Sequence, residues 1–224
     1  IWKSRSLQDE GGYASPILIT YNGHRKIVAL TGNRIVGVNP ENGQIDWTFD
    51  DLGKEGSQYI VPTNTPLYKD GRIFTANGYG AGAFMLQLNE DASGVRLLWR
   101  NKGFDPHHGC FVLVDGIIYG SSHGRNGLGK WMAVDWNTGQ TRFEMNWGKG
   151  VGEGSVIAAD GMLYCSDERR GMVGLVRVNP AKFDLVSFFR ITRGEGAFWA
   201  HPVIHRGILY VRHGNALMAY KIKG

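Results

Sequence analysis

The residues best suited to chemistry are Asp105-Pro106-His107-His108, Glu153 and His201. Imidazoles and carboxylates together can exchange protons near neutral pH or ligate a transition metal. Their spacing matches no metal motif, and adjacent histidines on a strand point to opposite faces, so no metal site is expected. Cys110 and Cys165 are too few to define a disulfide framework or a zinc site. Gly78-Tyr79-Gly80-Ala81-Gly82 has the composition of a phosphate loop but opens no helix whose amides would hold phosphate. It reads instead as a long, flexible hairpin loop. No Gly-x-Ser-x-Gly elbow, Walker loop or zinc-protease helix occurs, and no residue is assigned as catalytic.

The elements that must position these residues form a repeat. An apolar strand, a turn ending in Gly and a second apolar strand run through Ile17-Leu18-Ile19, Asn22-Gly23 and Ile27-Val28-Ala29. The same unit returns around Asp70-Gly71, Asp115-Gly116, Asp160-Gly161 and Arg206-Gly207, so the marker glycines recur every 45 to 48 residues. Asn-Gly or Asp-Gly between β-rich runs is a strong hairpin signal, because a type I′ turn needs positive φ at both central residues. A third run follows each hairpin, as in Ile35-Val36-Gly37-Val38, and a fourth ends on Trp47, Trp99, Phe143 or Phe188. Four antiparallel strands per 45 residues make a propeller blade.

The expected fold is therefore all-β: a single propeller domain over 1–224 with five visible repeats, at about 11–50, 60–102, 106–147, 152–192 and 197–224. Residues 1–5 read as the fourth strand of a preceding or closing blade. The five repeats read as the C-terminal arc of a larger propeller.

Aligning the starts of the innermost strands gives a candidate site. One position reads Ser15, Thr65, Cys110, Ser155 and His201, and the one two residues earlier reads Tyr13, Thr63, His108, Glu153 and Trp199. Alternation along a strand turns both members of each pair the same way. Tyr13, His108, Glu153, Trp199 and His201 would then line one mouth of the central channel, as the polar and aromatic residues of a ligand pocket do.

Composition removes other classes. The 224 residues are 42% hydrophobic and 20% charged, and 33 are glycine, which is globular composition rich in tight turns. The net charge of +5 comes from scattered basic residues rather than a helical stripe, so nucleic-acid binding is not expected. No apolar run reaches the roughly 18 residues of a membrane helix, and Ile1-Trp2-Lys3-Ser4-Arg5 is not an export signal.

The third repeat, Ala133-Val134-Asp135-Trp136-Asn137-Thr138-Gly139-Gln140-Thr141-Arg142-Phe143, resembles the motif Ala-x-Asp-x-x-Thr-Gly-x-x-x-Trp of the PQQ-like β-propeller repeat family. The first repeat, Gly37 to Trp47, keeps the Gly and the Trp. The resemblance implies that Trp47 and Trp99 pack between blades, and that the protein works in the periplasm or cell envelope. It admits two functions. One is a binding or interaction scaffold for a small molecule or an envelope protein, like the outer-membrane assembly lipoprotein. The other is an alcohol or sugar dehydrogenase of the quinoprotein or polyvinyl-alcohol dehydrogenase type, using PQQ with calcium. The dehydrogenase reading would imply a vicinal Cys-Cys pair and a Glu-Asn-Asp calcium set. The chain has no Cys-Cys, so the scaffold is the expectation.

Overall fold

In each hairpin both central residues sit at positive φ: Asn22 and Gly23 at 48° and 80°, Asp115 and Gly116 at 48° and 79°, Asp160 and Gly161 at 52° and 72°. Asp70-Gly71 and Arg206-Gly207 do the same. These are the I′ turns expected from the sequence, and their twist lets the flanking strands pair. The computed structural model describes residues 1–52, 62–124, 129–148 and 151–222. Every named element among them is a β-strand, and among the described residues no helix is long and apolar enough to cross a membrane.

The chain divides into two compact units, Ile1–His107 and His108–Gly224. The first holds two four-stranded antiparallel sheets in simple sequential order. One comprises β1 (Ile17–Tyr21), β2 (His24–Leu30), β3 (Ile35–Val38) and β4 (Ile45–Phe49). The other comprises β5 (Leu67–Lys69), β6 (Arg72–Ala76), β7 (Ala83–Leu88) and β8 (Val95–Asn101). Their facing sides make one core, in which Ile19, Val28, Ile35 and Trp47 pack with Ile73, Phe84, Leu86 and Leu88. Trp47 thus fills the space between neighbouring sheets, as its place in the repeat implies. The residue opposite it, Gly37, must be glycine, because a Cβ there would lie 2.0 Å from the indole. Trp99 is half-buried against Phe74 of its own sheet, with ring centroids 5.7 Å apart.

The second unit holds three sheets, again in sequential order. The third sheet is β9 (Phe111–Val114), β10 (Ile117–Ser122), β11 (Lys130–Asp135) and β12 (Thr141–Met145). The fourth is β13 (Gly154–Ala159), β14 (Met162–Asp167), β15 (Met172–Arg177) and β16 (Asp184–Arg190). The fifth has three strands: β17 (Val203–His205), β18 (Ile208–His213) and β19 (Ala216–Lys221). One core joins the third and fourth sheets around Trp131, Val156, Leu163 and Cys165; another joins the fourth and fifth around Tyr164, Val173, Leu209 and Val211.

The turn from third to fourth strand is built by the Asp of the repeat motif. Oδ1 of Asp135 accepts from the amides of Asn137 and Thr138, both at 2.9 Å, and from the Thr138 hydroxyl at 3.1 Å. Its Oδ2 takes the Arg142 guanidinium at 2.5 Å. Asn39 caps the corresponding turn of the first sheet, accepting from the Glu41 amide at 2.8 Å.

Three features add to or change the sequence reading. Residues 1–5 form no strand; Trp2 instead donates its indole N–H to the Pro40 carbonyl at 2.7 Å and covers Gly43, where a Cβ would lie 2.2 Å from the ring. Phe188 is 58% exposed, because β16 faces a three-stranded sheet across an apolar cleft of about 260 Å³. The Gly78–Gly82 loop is pinned rather than loose. Amides of Gly80 and Gly82 donate to the two oxygens of Asp105, each at 2.7 Å.

Candidate functional site

Strand polarity in an antiparallel hairpin brings the residues before its first strand beside those after its second. In the second unit this rule assembles a cluster of ionisable groups. His108 precedes β9 and His123 follows β10; Glu153 precedes β13 and Glu168 follows β14; Trp199 and His201 precede β17.

Glu153 and Glu168 are directly joined, the Glu168 amide donating to the Glu153 carbonyl at 3.0 Å. They continue the register that pairs Gly154 with Asp167, so both carboxylates stand on the same face. Glu153 is only 3% exposed. Its Oε1 contacts Nδ1 of His123, and its Oε2 is buried without a hydrogen-bond partner. Glu168 is backed by the other imidazole, with Nε2 of His108 lying 3.3 Å from Oε2. Burial, reinforced by the nearby charge of Glu153, pushes the Glu168 carboxyl up to about 7. Burial and the neighbouring imidazoles of His201 and His123 hold His108 below its ordinary value.

His201 sits at the outer side of the cluster. Its Nε2–H donates to the His108 carbonyl at 2.8 Å, and its side chain also hydrogen-bonds Cys110. The bond to Cys110 raises its pKa chiefly, against the opposing effect of burial. Trp199 is 61% exposed, with its ring centroid 5.1 Å from that of His108. The arrangement offers two carboxylates, two imidazoles within reach of them, and an exposed aromatic wall. Such a set can hold a proton near neutral pH, bind a cationic or polar ligand, or ligate a metal.

Four of the five residues expected from the sequence therefore come together: His108, Glu153, Trp199 and His201. Tyr13 lies in the first unit, 81% exposed, with its backbone amide donating to the Pro62 carbonyl at 2.8 Å. It also stands ten residues before its hairpin glycine, whereas His108, Glu153 and Trp199 stand eight before theirs. Asp105 is absorbed by the Gly80 and Gly82 amides. His123 and Glu168 were not visible from the first strands alone. Each follows its hairpin glycine by seven residues, a second series that antiparallel pairing sets opposite the first.

The family described as outer membrane protein assembly factor BamB matches residues 1–145. The chain belongs to that family. No protein with a curated description matches the sequence. Among solved structures, BamB from Moraxella catarrhalis superposes with a TM-score of 0.70 at 17% identity, over 93% of this chain and 58% of that one. The quinohemoprotein alcohol dehydrogenase ADHIIG from Pseudomonas putida HK5 gives a TM-score of 0.63 at 16% identity, over 99% of this chain and 43% of that one. Sqt1 from Saccharomyces cerevisiae gives 0.67 at 12% identity, over 91% and 58%. At these identities the likeness to the three is one of fold alone. The chain spans less than two thirds of the length of each of these three.

Proposed function

We propose that this chain is a binding propeller of the cell envelope, with the cluster of His108, Glu153, Glu168, Trp199 and His201 as its ligand contact. The observation that carries this is the buried Glu153 carboxylate, which keeps one oxygen without a hydrogen-bond partner, in a cluster whose His108 lies against the exposed ring of Trp199. A buried charged oxygen left unmatched is costly, and native structures keep one mostly where something else supplies the match. The envelope setting rests on the membership of the outer-membrane assembly family.

The dehydrogenase remains the rival because one similar structure is a quinohemoprotein alcohol dehydrogenase. The chain's two cysteines, Cys110 and Cys165, are both free thiols and are not adjacent, which favours the scaffold. Dye reduction with added PQQ and calcium separates the two: the scaffold predicts none, and turnover that needs both would overturn it. Ligand contact is tested by thermal shift against polyamines, amino acids, sugars and dicarboxylates. Changing His108 and His201 together to Ala should abolish a ligand-induced shift while leaving the ligand-free melting temperature within about 2 °C, which is at most about 1 kcal/mol for a chain this size. A large loss of stability would make them structural and sink the assignment.

A further inference from the structure

His213 ends β18, only 7% exposed, and both of its ring nitrogens face backbone carbonyls. Nδ1 lies 2.8 Å from the Arg193 oxygen, and Nε2 lies 2.8 Å from the Gly196 oxygen. A carbonyl oxygen only accepts, so each nitrogen must carry hydrogen, and a neutral imidazole carries hydrogen on one nitrogen alone. The arrangement is therefore complete only for the imidazolium. Phe198 favours the same form. Its ring stacks on His213 with centroids 3.7 Å apart and planes 15° off parallel, and an aromatic face attracts a cation more than a neutral ring.

All three contacts belong to one segment. Residues 191–202 link β16 to β17 without a strand, and Arg193 to Ala197 are exposed. The segment lies close against the end of β18. A Cβ at Gly194 would stand 2.1 Å from the His213 carbonyl oxygen, and one at Gly214 would stand 2.0 Å from the Glu195 carbonyl oxygen. Asn215 adds a hydrogen bond to the Glu195 carboxylate at 2.9 Å. Directly beyond Phe198 come Trp199 and His201, the outer members of the ligand cluster.

We propose that His213 is a proton-dependent clamp, which in its charged form holds residues 193–198 and through them sets the position of Trp199 and His201. This adds a pH control to the binding reading above, and it rests on that reading only where a ligand is concerned. When the proton leaves, one of the two carbonyls faces a nitrogen lone pair in a buried place, a cost that opening the segment to water relieves. Imidazoles change charge between about pH 5 and 8, so the segment should be held at the lower end of that range and released at the upper. Charged groups of both signs stand on the elements packed here. They are Arg212 on β18, Arg193 and Glu195 on the segment, and Asp167, Arg169 and Arg170 on the turn before Gly171, where a Cβ would lie 2.4 Å from the Phe198 ring. Beyond the segment His108, paired with Glu168, lies against Trp199.

Two measurements on the full chain test the clamp. Nitrogen-15 NMR of the histidine side chains should find hydrogen on both nitrogens of His213 at about pH 5.5. Amide exchange of residues 193–198, corrected for its intrinsic pH dependence, should rise at least about tenfold between about pH 5.5 and pH 8. His213→Phe keeps a ring for the stack but has no proton to lose, so its segment should exchange fast at both pH values without a step. The step should persist in His205→Ala, which alters an exposed histidine, and in Glu168→Gln, which removes the nearby carboxyl. The step in the parent keeps the test independent of whether His213→Phe folds. A single hydrogen on His213 at pH 5.5, no step in the parent, or a step that survives in His213→Phe would overturn the clamp. A step lost in Glu168→Gln would assign it to the ligand cluster and overturn the clamp equally. If the step is present and a thermal-shift ligand binds alike at both pH values, the clamp stands and its control of the ligand falls. If the step is present and nothing binds at either pH, the clamp stands and the binding reading falls.

Discussion

Both oxygens of Asp105 are held by backbone amides of its own unit, which shows how a residue that reads as a ligand can serve the loop beside it instead. Gly78, Tyr79, Gly80 and Gly82 all sit at positive φ, and the amides of Gly80 and Gly82 turn inward onto an anion, which is this carboxylate. Asp105→Ala would leave two amide donors unmatched in a largely buried place. Hydrogen bonds to charged groups contribute about 1.5 to 3 kcal/mol each, so a loss of about 3 kcal/mol is expected in urea unfolding. A change under 0.5 kcal/mol would show that solvent can replace the carboxylate. At this scale the sequence was half legible. His108, Glu153, Trp199 and His201 could be grouped because strands alternate and repeats align. His123 and Glu168 could not, because nothing in a single strand says which residues its partner's far end brings alongside. Asp105 was misjudged for a related reason: the glycine loop and its acceptor are more than twenty residues apart in sequence.

The hairpins and the third-to-fourth turns were legible because each is a local device whose residues carry the geometry. Asn-Gly and Asp-Gly supply positive φ without help from distant contacts, and Asp135 collects its turn through the next three residues. The fourth strands were only partly legible. The position of Phe188 copies that of Trp47, yet its burial depends on a neighbouring sheet that the motif does not describe. Asp135 also gives the turn a pH dependence. Burial alone would raise its carboxyl, but the Arg142 guanidinium and the hydrogen bonds from Thr138 and Asn137 outweigh it and hold the carboxyl below its ordinary 3.8. A depressed folded-state pKa stabilises the fold above the unfolded value, and that contribution is lost as pH falls through the folded value. Asp135→Asn should therefore destabilise by about 1 to 3 kcal/mol at pH 7. The gap to the parent should narrow progressively below pH 3.8 in chemical denaturation. A gap that is constant from pH 7 to pH 2.5 would mean that the charge of Asp135 contributes nothing.

Across the whole chain, stability should follow the number of strands that cover each ladder. The central strands β3 and β7 are buried nearly throughout, whereas β19 alternates between half-buried and exposed positions along its length. Among the described residues β19 pairs only with β18, so half of its backbone groups face away from any strand. Its side chains, together with Phe188 and Phe189 of β16, line the apolar cleft between the last two sheets. Local opening needs little free energy where few apolar contacts and many solvent-facing backbone groups coincide. Amide hydrogen exchange of the chain should therefore find β19 and the outer face of β16 exchanging at least tenfold faster than β3, β7 and β11, with β14 and β15 between them. The fast exchange of β19 follows from strand count rather than from sequence, since Leu217-Met218-Ala219-Tyr220 is as apolar as the third runs of the other repeats. Equal protection in β19 and β7 would mean that something covers that edge in solution, a second copy being the first to check by light scattering. Slow exchange confined to β19 in a monomer would instead show that the three-stranded sheet is stabilised from its packed face alone, through Tyr220 against Phe189 at 4.5 Å.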